Sequence, residues 1–127
     1  MKRRIKGDSV RFRVPPSEVR LLLREGKLTS QVRFSLCPSQ SLRYSLVLDE
    51  NIEEAMVSFA GSEITARLPK KEAAHWAFTD VVGISGEMKL GGALSLTLLV
   101  EKDFACLDLS DEENEDTYPN PSAGQVC

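Results

Sequence analysis

The 127-residue sequence is poor in the residue types on which most metal sites and disulfide frameworks depend. It contains one histidine, His75, and three cysteines, Cys37, Cys106 and Cys127, which form no CxxC pair. Structural zinc sites use closely spaced pairs of such ligands, and a disulfide framework is expected to have an even set of cysteines. We therefore predict no metal, no cofactor and no disulfide, with the thiols reduced.

Nucleophilic catalysis also lacks its usual signatures. A Ser or Cys triad would have to use His75, no GxSxG segment occurs, and Cys106 lies between the apolar residues Ala105 and Leu107. Burial raises the pKa of a thiol and leaves it unreactive. Gly83 and Gly86 lie in a predicted strand, where they suggest a close backbone approach rather than a phosphate-binding turn. No catalytic residue is predicted; enzymatic activity stays open, and a non-enzymatic role is favoured.

Long apolar runs are missing as well. No stretch approaches the ~20 apolar residues that a membrane-spanning helix needs. The basic start of the chain, MKRRIK, is not followed by an apolar segment of signal-peptide length. The sequence therefore predicts a cytoplasmic protein that does not associate with a membrane.

What the chain does contain is a possible internal repeat. Residues 5–49 align with residues 59–103 at a constant offset of 54 without a gap. The aligned apolar pairs are Val10/Ile64, Val14/Leu68, Leu22/Trp76, Leu28/Val82, Phe34/Met88, Tyr44/Leu98 and Leu46/Val100. Self-similarity at a fixed period indicates repeated architecture, so we predict an internal duplication.

Each copy reads as a ββαββ unit. Two-residue turns, Gly7-Asp8 and Gly61-Ser62, predict β-hairpins of type II′, because glycine tolerates a positive φ. Pro15 and Pro69 end the hairpins, and a short helix with apolar residues at i, i+3 and i+4 follows in both copies. Two alternating strands complete each unit, the third strand burying Leu28, Val32, Phe34 and Leu36.

We therefore predict an α+β fold with pseudo-two-fold symmetry, about eight strands and two short helices. The strands would form either an antiparallel sheet or a barrel-like closure, which would remove the sheet edges. A single domain would cover residues 1–107, with repeat units at about 1–50 and 55–103. Residues 108–127 carry six acidic residues and no Lys or Arg. They predict an acidic tail that is either disordered or docked on the domain.

The charge is unevenly distributed. Residues 1–50 hold 11 Lys/Arg and 5 Asp/Glu (+6), so the remaining 5 Lys/Arg and 14 Asp/Glu (−9) lie in residues 51–127. The predicted register sets Arg4 opposite Arg11 and Lys2 opposite Arg13, although like charges directly opposite destabilise a strand pair. The matching positions of the second hairpin are Ser58/Thr65 and Met56/Arg67.

This basic hairpin face has three interpretations. It is a solvated edge strand whose charges block aggregation, a docking face for the acidic tail, or a binding face for an unknown anionic partner. Lys2, Arg4, Arg11 and Arg13 are thus the candidate anion-binding residues. Nucleic acid is the weaker external anion, because Phe12 is assigned to the inner face and the outer face offers no ring for base stacking.

Several segments in order resemble a small family of functionally uncharacterised bacterial proteins. They are the opening MKRRIKGDSVRFRVPPSEV (1–19), VGISGE (82–87), VEKDFACL (100–107) and YPNP (118–121). In that family position 3 is usually aliphatic and position 15 is usually threonine, which would cap the first helix; this chain has Arg3 and Pro15. The resemblance implies a bacterial, cytoplasmic protein of unknown function and supplies no catalytic residue.

Two functions follow as hypotheses. The first is a non-enzymatic binding or interaction module that holds an anion on the basic hairpin, with the acidic tail competing for the same face. The alternative is a small enzyme or ligand carrier with a site inside a barrel-like cavity lined by residues such as Arg3 and Tyr44. An open sheet edge would also permit a homo-oligomer.

Overall fold

The computed structural model describes residues 1–105 and 116–119. The described residues form eight strands, two α-helices and a 3-10 turn at Pro38–Gln40. In chain order the main elements are β1 (Lys2–Lys6), β2 (Ser9–Val14), α1 (Pro16–Glu25), β3 (Lys27–Arg33), β4 (Ser41–Asp49), β5 (Met56–Ala60), β6 (Glu63–Pro69), α2 (Lys70–Phe78), β7 (Gly83–Gly91) and β8 (Leu94–Lys102). The α+β class and the number of strands and helices are as predicted.

The turns of the β1/β2 and β5/β6 hairpins are short and differ in type. In the first turn Gly7 has a φ of +54°, as a type II′ turn requires. In the second turn both Gly61 and Ser62 have positive φ, of 57° and 60°. Positive φ at both central residues is the pattern of a type I′ turn, so the assignment of type II′ to the second hairpin is wrong.

The strands form two four-stranded sheets, ordered β1-β2-β8-β7 (sheet A) and β3-β4-β6-β5 (sheet B). The central pairs, β2/β8 and β4/β6, are parallel, and the outer pairs are antiparallel. Each sheet therefore combines the first hairpin of one half with the second hairpin of the other half. Parallel neighbours cannot be joined by a tight turn. In the chain, β5 lies between β4 and β6, and most of the other elements lie between β2 and β8.

Neither predicted strand arrangement is found. The strands of residues 1–105 do not form one antiparallel sheet, and the two sheets do not close into a barrel. A pattern of buried alternate residues shows which face a strand buries, but it does not show which neighbour the strand pairs with. The closed barrel with a central cavity is therefore corrected to two mixed sheets.

Strand pairs in one sheet have counterparts 54 residues away in the other. Val10 pairs with Leu98 in sheet A, and Ile64 pairs with Tyr44 in sheet B, which gives 10 + 54 = 64 and 44 + 54 = 98. Likewise Arg4 pairs with Arg11 and Ser58 with Thr65. The hairpins and the parallel contacts thus follow the offset that the sequence alignment used.

The ungapped alignment fails at the third strand of each half. Leu28 pairs with Leu46 and Ile84 pairs with Val100; the partners are 54 residues apart, but Leu28 and Ile84 are 56 apart. The connection from helix to strand has four residues before β7 and one before β3, whereas the turn after β7 has two residues and the one after β3 has seven. The alignments Leu28/Val82 and Phe34/Met88 are therefore wrong, and Phe34 and Leu36 are exposed.

One hydrophobic core joins both sheets and both helices. Its fully buried side chains come from each half, and they include Phe12, Leu22, Leu46, Leu68, Trp76 and Val100. The ring of Phe12 in sheet A stacks on that of Tyr44 in sheet B at a centroid distance of 6.3 Å. The two sheets thus face each other across a filled interior.

Strand β1 is more exposed than the sequence pattern indicates. All five of its residues are exposed, and Ile5, for which the alternation predicts a buried side chain beside Val10, is 56% exposed. β1 lies at the edge of sheet A and pairs only with β2. An edge strand has a neighbour on one side only, which is why its inward residues stay accessible.

Candidate anion-binding surface

The outer face of the first hairpin carries the predicted cations. Phe12 and Val14 are buried in the core, so the alternate residues Arg11 and Arg13 point to the other face. Arg4 pairs with Arg11 and Lys2 with Arg13, as the predicted register requires. We call Lys2, Arg4, Arg11 and Arg13 on this side of sheet A the basic face.

A carboxylate from the second half lies on the basic face. β8 is the parallel neighbour of β2 and places Glu101 beside Arg13. The Oε1 atom of Glu101 accepts hydrogen bonds from Nε of Arg11 at 2.7 Å and from Nε of Arg13 at 3.1 Å, and Nη2 of Arg11 also donates to it. One acceptor therefore draws two neighbouring guanidinium groups together.

Lys2 has its own counter-charge. Its Nζ atom lies 3.1 Å from Oδ2 of Asp103, and the side chain of that aspartate is largely buried. The backbone N–H of Asp103 donates to the carbonyl of Val14 at 3.0 Å, which positions the carboxylate at the end of the hairpin. Sequence reasoning missed Glu101 and Asp103, because only the parallel β2/β8 pairing brings them to the hairpin.

Arg4 differs from the other three cations. Within residues 1–105 and 116–119, no ion pair or hydrogen bond of its side chain is found. A surface depression of about 140 Å³ is lined by Arg4 together with Lys2, Arg3, Arg11 and Arg13. The basic face thus has an uncompensated guanidinium beside a small concave surface.

The positions named for an internal cavity are packed together instead. The guanidinium carbon of Arg3 lies 4.7 Å from the centroid of the Tyr44 ring, and the same ring stacks on Phe12. A cation over an aromatic face is attracted by the ring quadrupole. Arg3 therefore covers the edge of the core, although its position in the strand is one at which an aliphatic residue would point inward.

The corresponding face of sheet B has hydroxyl groups at the two central positions of its hairpin, although Arg67 and Lys27 lie on the same face. Ser58 and Thr65 occupy the places of Arg4 and Arg11, and they continue into Ser45 and Thr29 on the neighbouring strands. Oγ of Ser45 lies 2.9 Å from Oγ1 of Thr29 and donates to Oε2 of Glu63 at 2.5 Å. The sheet architecture therefore does not require cations at these positions.

Another groove of the surface has the opposite charge. A cavity of about 720 Å³ beside β7 is lined by four glutamates and one lysine, Glu53, Glu54, Glu72, Glu87 and Lys89, among other residues. An anion would be repelled there. The basic face is the better candidate for an anionic ligand despite its smaller size.

The described part of the acidic tail contacts α1 rather than the basic face. Oδ1 of Asp116 accepts a hydrogen bond from the N–H of Ser17 at 3.2 Å, and Oγ of Ser17 donates to Oδ2. The other acidic tail positions, Asp108, Asp111, Glu112, Glu113 and Glu115, lie outside the described residues. The predicted contact between the tail and the hairpin cations thus falls largely on residues that the structure does not describe.

The residues considered for metal binding lie on different elements and make unrelated contacts. His75 is exposed on α2, and its carbonyl accepts a hydrogen bond from Oγ1 of Thr79 at 2.6 Å. Cys37 is exposed, and hydrogen bonds from Ser39 lower the pKa of its thiol. In the described ranges no three His, Cys, Asp or Glu residues group to hold a metal ion; Cys106 and Cys127 lie outside them.

Among the described helices, none has the length and apolar character needed to cross a membrane.

Comparison with curated proteins gave no match, and comparison with solved structures gave none either. The comparison with protein families matched residues 1–122 to a family of unknown function, DUF7009. Since the match spans nearly the whole chain, this protein belongs to that family of unknown function.

Proposed function

We propose that this protein is a non-enzymatic binding module that holds an anionic group on the basic face. The observation that carries the proposal is Arg4, a guanidinium without a counter-charge among the described residues, placed directly opposite Arg11. Such a like-charge pair costs stability. An anion bound between the two side chains would remove that cost, and the absence of such a pair from sheet B supports a role beyond the fold.

Glu101 would prepare the site rather than occupy it. It engages Nε and Nη2 of Arg11 and Nε of Arg13. A guanidinium has five N–H donors in a planar fork, so each arginine retains donors beyond those that Glu101 uses. Because one largely buried carboxylate holds both side chains in place, they would lose little conformational freedom on binding a ligand.

The size and surroundings of the depression favour a phosphate group of a small molecule over a nucleic acid. A volume of about 140 Å³ accommodates a single anionic group. A nucleic-acid strand would instead need an extended basic groove with aromatic side chains for stacking, and the hairpin's phenylalanine, Phe12, is fully buried. Glu101 and Asp103 would also repel a continuous phosphate backbone.

Inorganic pyrophosphate is a suitable probe, titrated into the full-length protein at about 0.01 M and about 0.15 M ionic strength. We expect Arg4→Gln to weaken binding about tenfold or more at the lower ionic strength. Lys27→Gln is the matched control, because Lys27 is an exposed cation at the start of β3 in sheet B. Equal affinities of the two variants would refute the proposal, since they would show only an effect of net charge.

A single-stranded oligonucleotide provides the second arm of this experiment. If it bound more tightly than pyrophosphate and lost affinity with Arg4→Gln, the ligand class would be nucleic acid and the preference for a small phosphate would be wrong.

The proposed competition by the acidic tail predicts that replacing Asp108, Asp111, Glu112, Glu113 and Glu115 by their amides strengthens pyrophosphate binding. Unchanged affinity would remove the tail from the mechanism.

We also infer that the two halves arose by internal duplication. The support is the equivalence of the strand pairs, Val10/Leu98 with Ile64/Tyr44, across the two sheets. A cytoplasmic location, a bacterial source and assembly into homo-oligomers remain predictions from the sequence.

A further inference from the structure

A short segment of the tail adds to the end of β8. Tyr118 forms a parallel bridge with Phe104. The N–H of Tyr118 donates to the carbonyl of Asp103 at 2.7 Å, and the N–H of Ala105 donates to the carbonyl of Tyr118 at 2.6 Å. This is the hydrogen-bonding pattern by which an extended peptide is added to a sheet edge.

The same segment caps the first helix. α1 begins after Pro15, which offers no side chain for capping. The first N–H groups of a helix lack intrahelical partners, and here the carboxylate of Asp116 accepts from both the N–H and the Oγ of Ser17. A group from 99 residues away in sequence thus replaces the local cap.

The tyrosine ring occupies a third subsite. It packs against Phe104 at a centroid distance of 5.9 Å, and Nζ of Lys102 lies 5.4 Å from its centroid. Lys102 is only 6% exposed, because its Nζ atom donates to the carbonyl of Thr79 at 2.6 Å, just after α2. Tyr118 is half-buried, and this burial raises the pKa of its phenol.

We propose that the cleft between the end of β8 and the start of α1 is a peptide-docking site for another protein. Its ligand would be a segment that turns at a carboxylate residue, as Asp116 does with a φ of +53°, two residues before a tyrosine with extended backbone. The N-terminus of α1 would take the carboxylate, the backbone of residues 103–105 would pair with the peptide, and Phe104 with Lys102 would hold the ring. Residues 116–119 occupy this site in cis.

The distribution of the contacts supports an exchangeable ligand. Every group that recognises the segment belongs to residues 17–105, and Lys102 and Asp103 are anchored by bonds that do not involve the segment, to Thr79 and Val14. The cleft would therefore keep its shape when the segment leaves. Lys102 and Arg20, whose charge also acts on Tyr118, give it the positive potential that an acidic peptide requires.

The cis segment determines how tightly a partner must bind in order to displace it. A tethered segment has an effective concentration of the order of millimolar, so a free peptide of the same sequence competes poorly with it. A partner would need additional contacts, or the cis contacts would need to be weakened. The site does not include the basic face, so the two proposals can fail independently.

The test uses the full-length protein and a fluorescent peptide with the sequence of residues 114–121, NEDTYPNP. The double variant Asp116→Ala, Tyr118→Ala vacates the site. We expect it to bind the peptide about tenfold or more tightly than the wild type does, by fluorescence anisotropy. Peptides in which Asp116 or Tyr118 is replaced by alanine serve as controls and should lose that affinity.

The proposal would be overturned if the wild type and the double variant bound the peptide with equal affinity. It would also be overturned if neither alanine replacement in the peptide changed the affinity. If the double variant does not fold, as judged by Trp76 fluorescence, the peptide is titrated into the wild-type protein instead. In labelled wild-type protein, excess unlabelled peptide should then shift the amide resonance of the protein's own Tyr118, which donates to the carbonyl of Asp103 when docked, while the peptide with Tyr118→Ala should not. A dimer of the wild type that the double variant abolishes would assign the site to a second copy and overturn the assignment to another protein.

Discussion

At the residue scale, Gly86 makes a close approach to the backbone just before sheet B. A Cβ atom at Gly86 in β7 would lie 2.2 Å from the carbonyl oxygen of Ala55, which precedes β5. Such a distance cannot be accommodated without moving the backbone of one sheet. The two glycines of β7 predict a close backbone approach from the sequence, and Gly86 makes one between β7 and the residue that precedes β5.

Gly86→Ala should therefore lower the free energy of unfolding by about 1–3 kcal/mol, the usual cost of overpacking a core. Urea denaturation followed by Trp76 fluorescence measures it. Ser85→Ala is the matched control on the same strand, and its exposed side chain predicts a change within about 0.5 kcal/mol. Equal effects of the two substitutions would contradict the steric explanation.

Tyr118 makes the docked segment sensitive to alkaline pH. Burial raises its pKa above the ordinary value of 10.0, so the neutral phenol is the form that docks. The stabilisation is therefore fully present below the pKa of the undocked tyrosine and is lost as the pH rises through the pKa of the docked one.

We expect the amide of Ala105, which bonds to the carbonyl of Tyr118, to lose protection from hydrogen exchange at such alkaline pH. Tyr118→Phe has no ionisable phenol, so the amide of Ala105 should keep its protection relative to the amides of β8. If the two proteins responded alike to pH, the phenol would not be the titrating group.

At the element scale, the pairing of β2 with β8 decides the electrostatics of the basic face. Arg11 and Arg13 are separated by one residue on β2, and the parallel register places Glu101 of β8 beside them. β5 and β6 have the equivalent hairpin register, but Ser58 and Thr65 replace the cations that face each other. The charge pattern is therefore a property of this hairpin and not of the fold.

Glu101→Gln should destabilise the protein by about 1–2 kcal/mol, since hydrogen bonds to charged groups are among the stronger ones but both arginines are partly exposed. Chemical denaturation at low ionic strength measures the loss. Glu87→Gln on the outer face of β7 is the control, for which no ion pair is found among the described residues. A loss no larger than that of the control would show that the Glu101 contacts add no stability.

At the scale of the whole molecule, neither half can fold by itself in the observed way. Sheet A contains β1 and β2 of the first half with β7 and β8 of the second half. Sheet B contains β3 and β4 of the first half with β5 and β6 of the second half. The core contains fully buried residues from both halves, such as Leu22 on α1 and Trp76 on α2. Unfolding of one half would therefore expose the interior of the other.

This exchange of hairpins predicts a single cooperative unfolding transition. Urea curves from Trp76 fluorescence, which reports on α2, and from far-UV circular dichroism, which reports on all elements, should coincide. The two probes should also share one midpoint in the destabilised Gly86→Ala variant. Two separate transitions would show that the halves are independent units.

The features that could be read from the sequence are those that depend on neighbours along the chain. The alternation Val10, Phe12, Val14 placed the inner face of β2, and the turn Gly7-Asp8 set Arg4 opposite Arg11. Gly26 ended α1 with a φ of +77° and an N–H bonded to the carbonyl of Leu22. Hairpin register and helix ends follow from local backbone sterics, so no knowledge of the rest of the molecule was needed.

Which strands become neighbours was decided only by the tertiary structure. The parallel contacts β2/β8 and β4/β6 join residues nearly ninety positions apart in one case and about twenty in the other. The alternation of apolar and polar residues contains no information about which strand becomes the neighbour. Glu101 on the basic face and Asp116 at the start of α1 depend on such contacts. Their positions follow from burying two sheets and two helices in one core, a free-energy gain that belongs to the assembled molecule and to no segment of it.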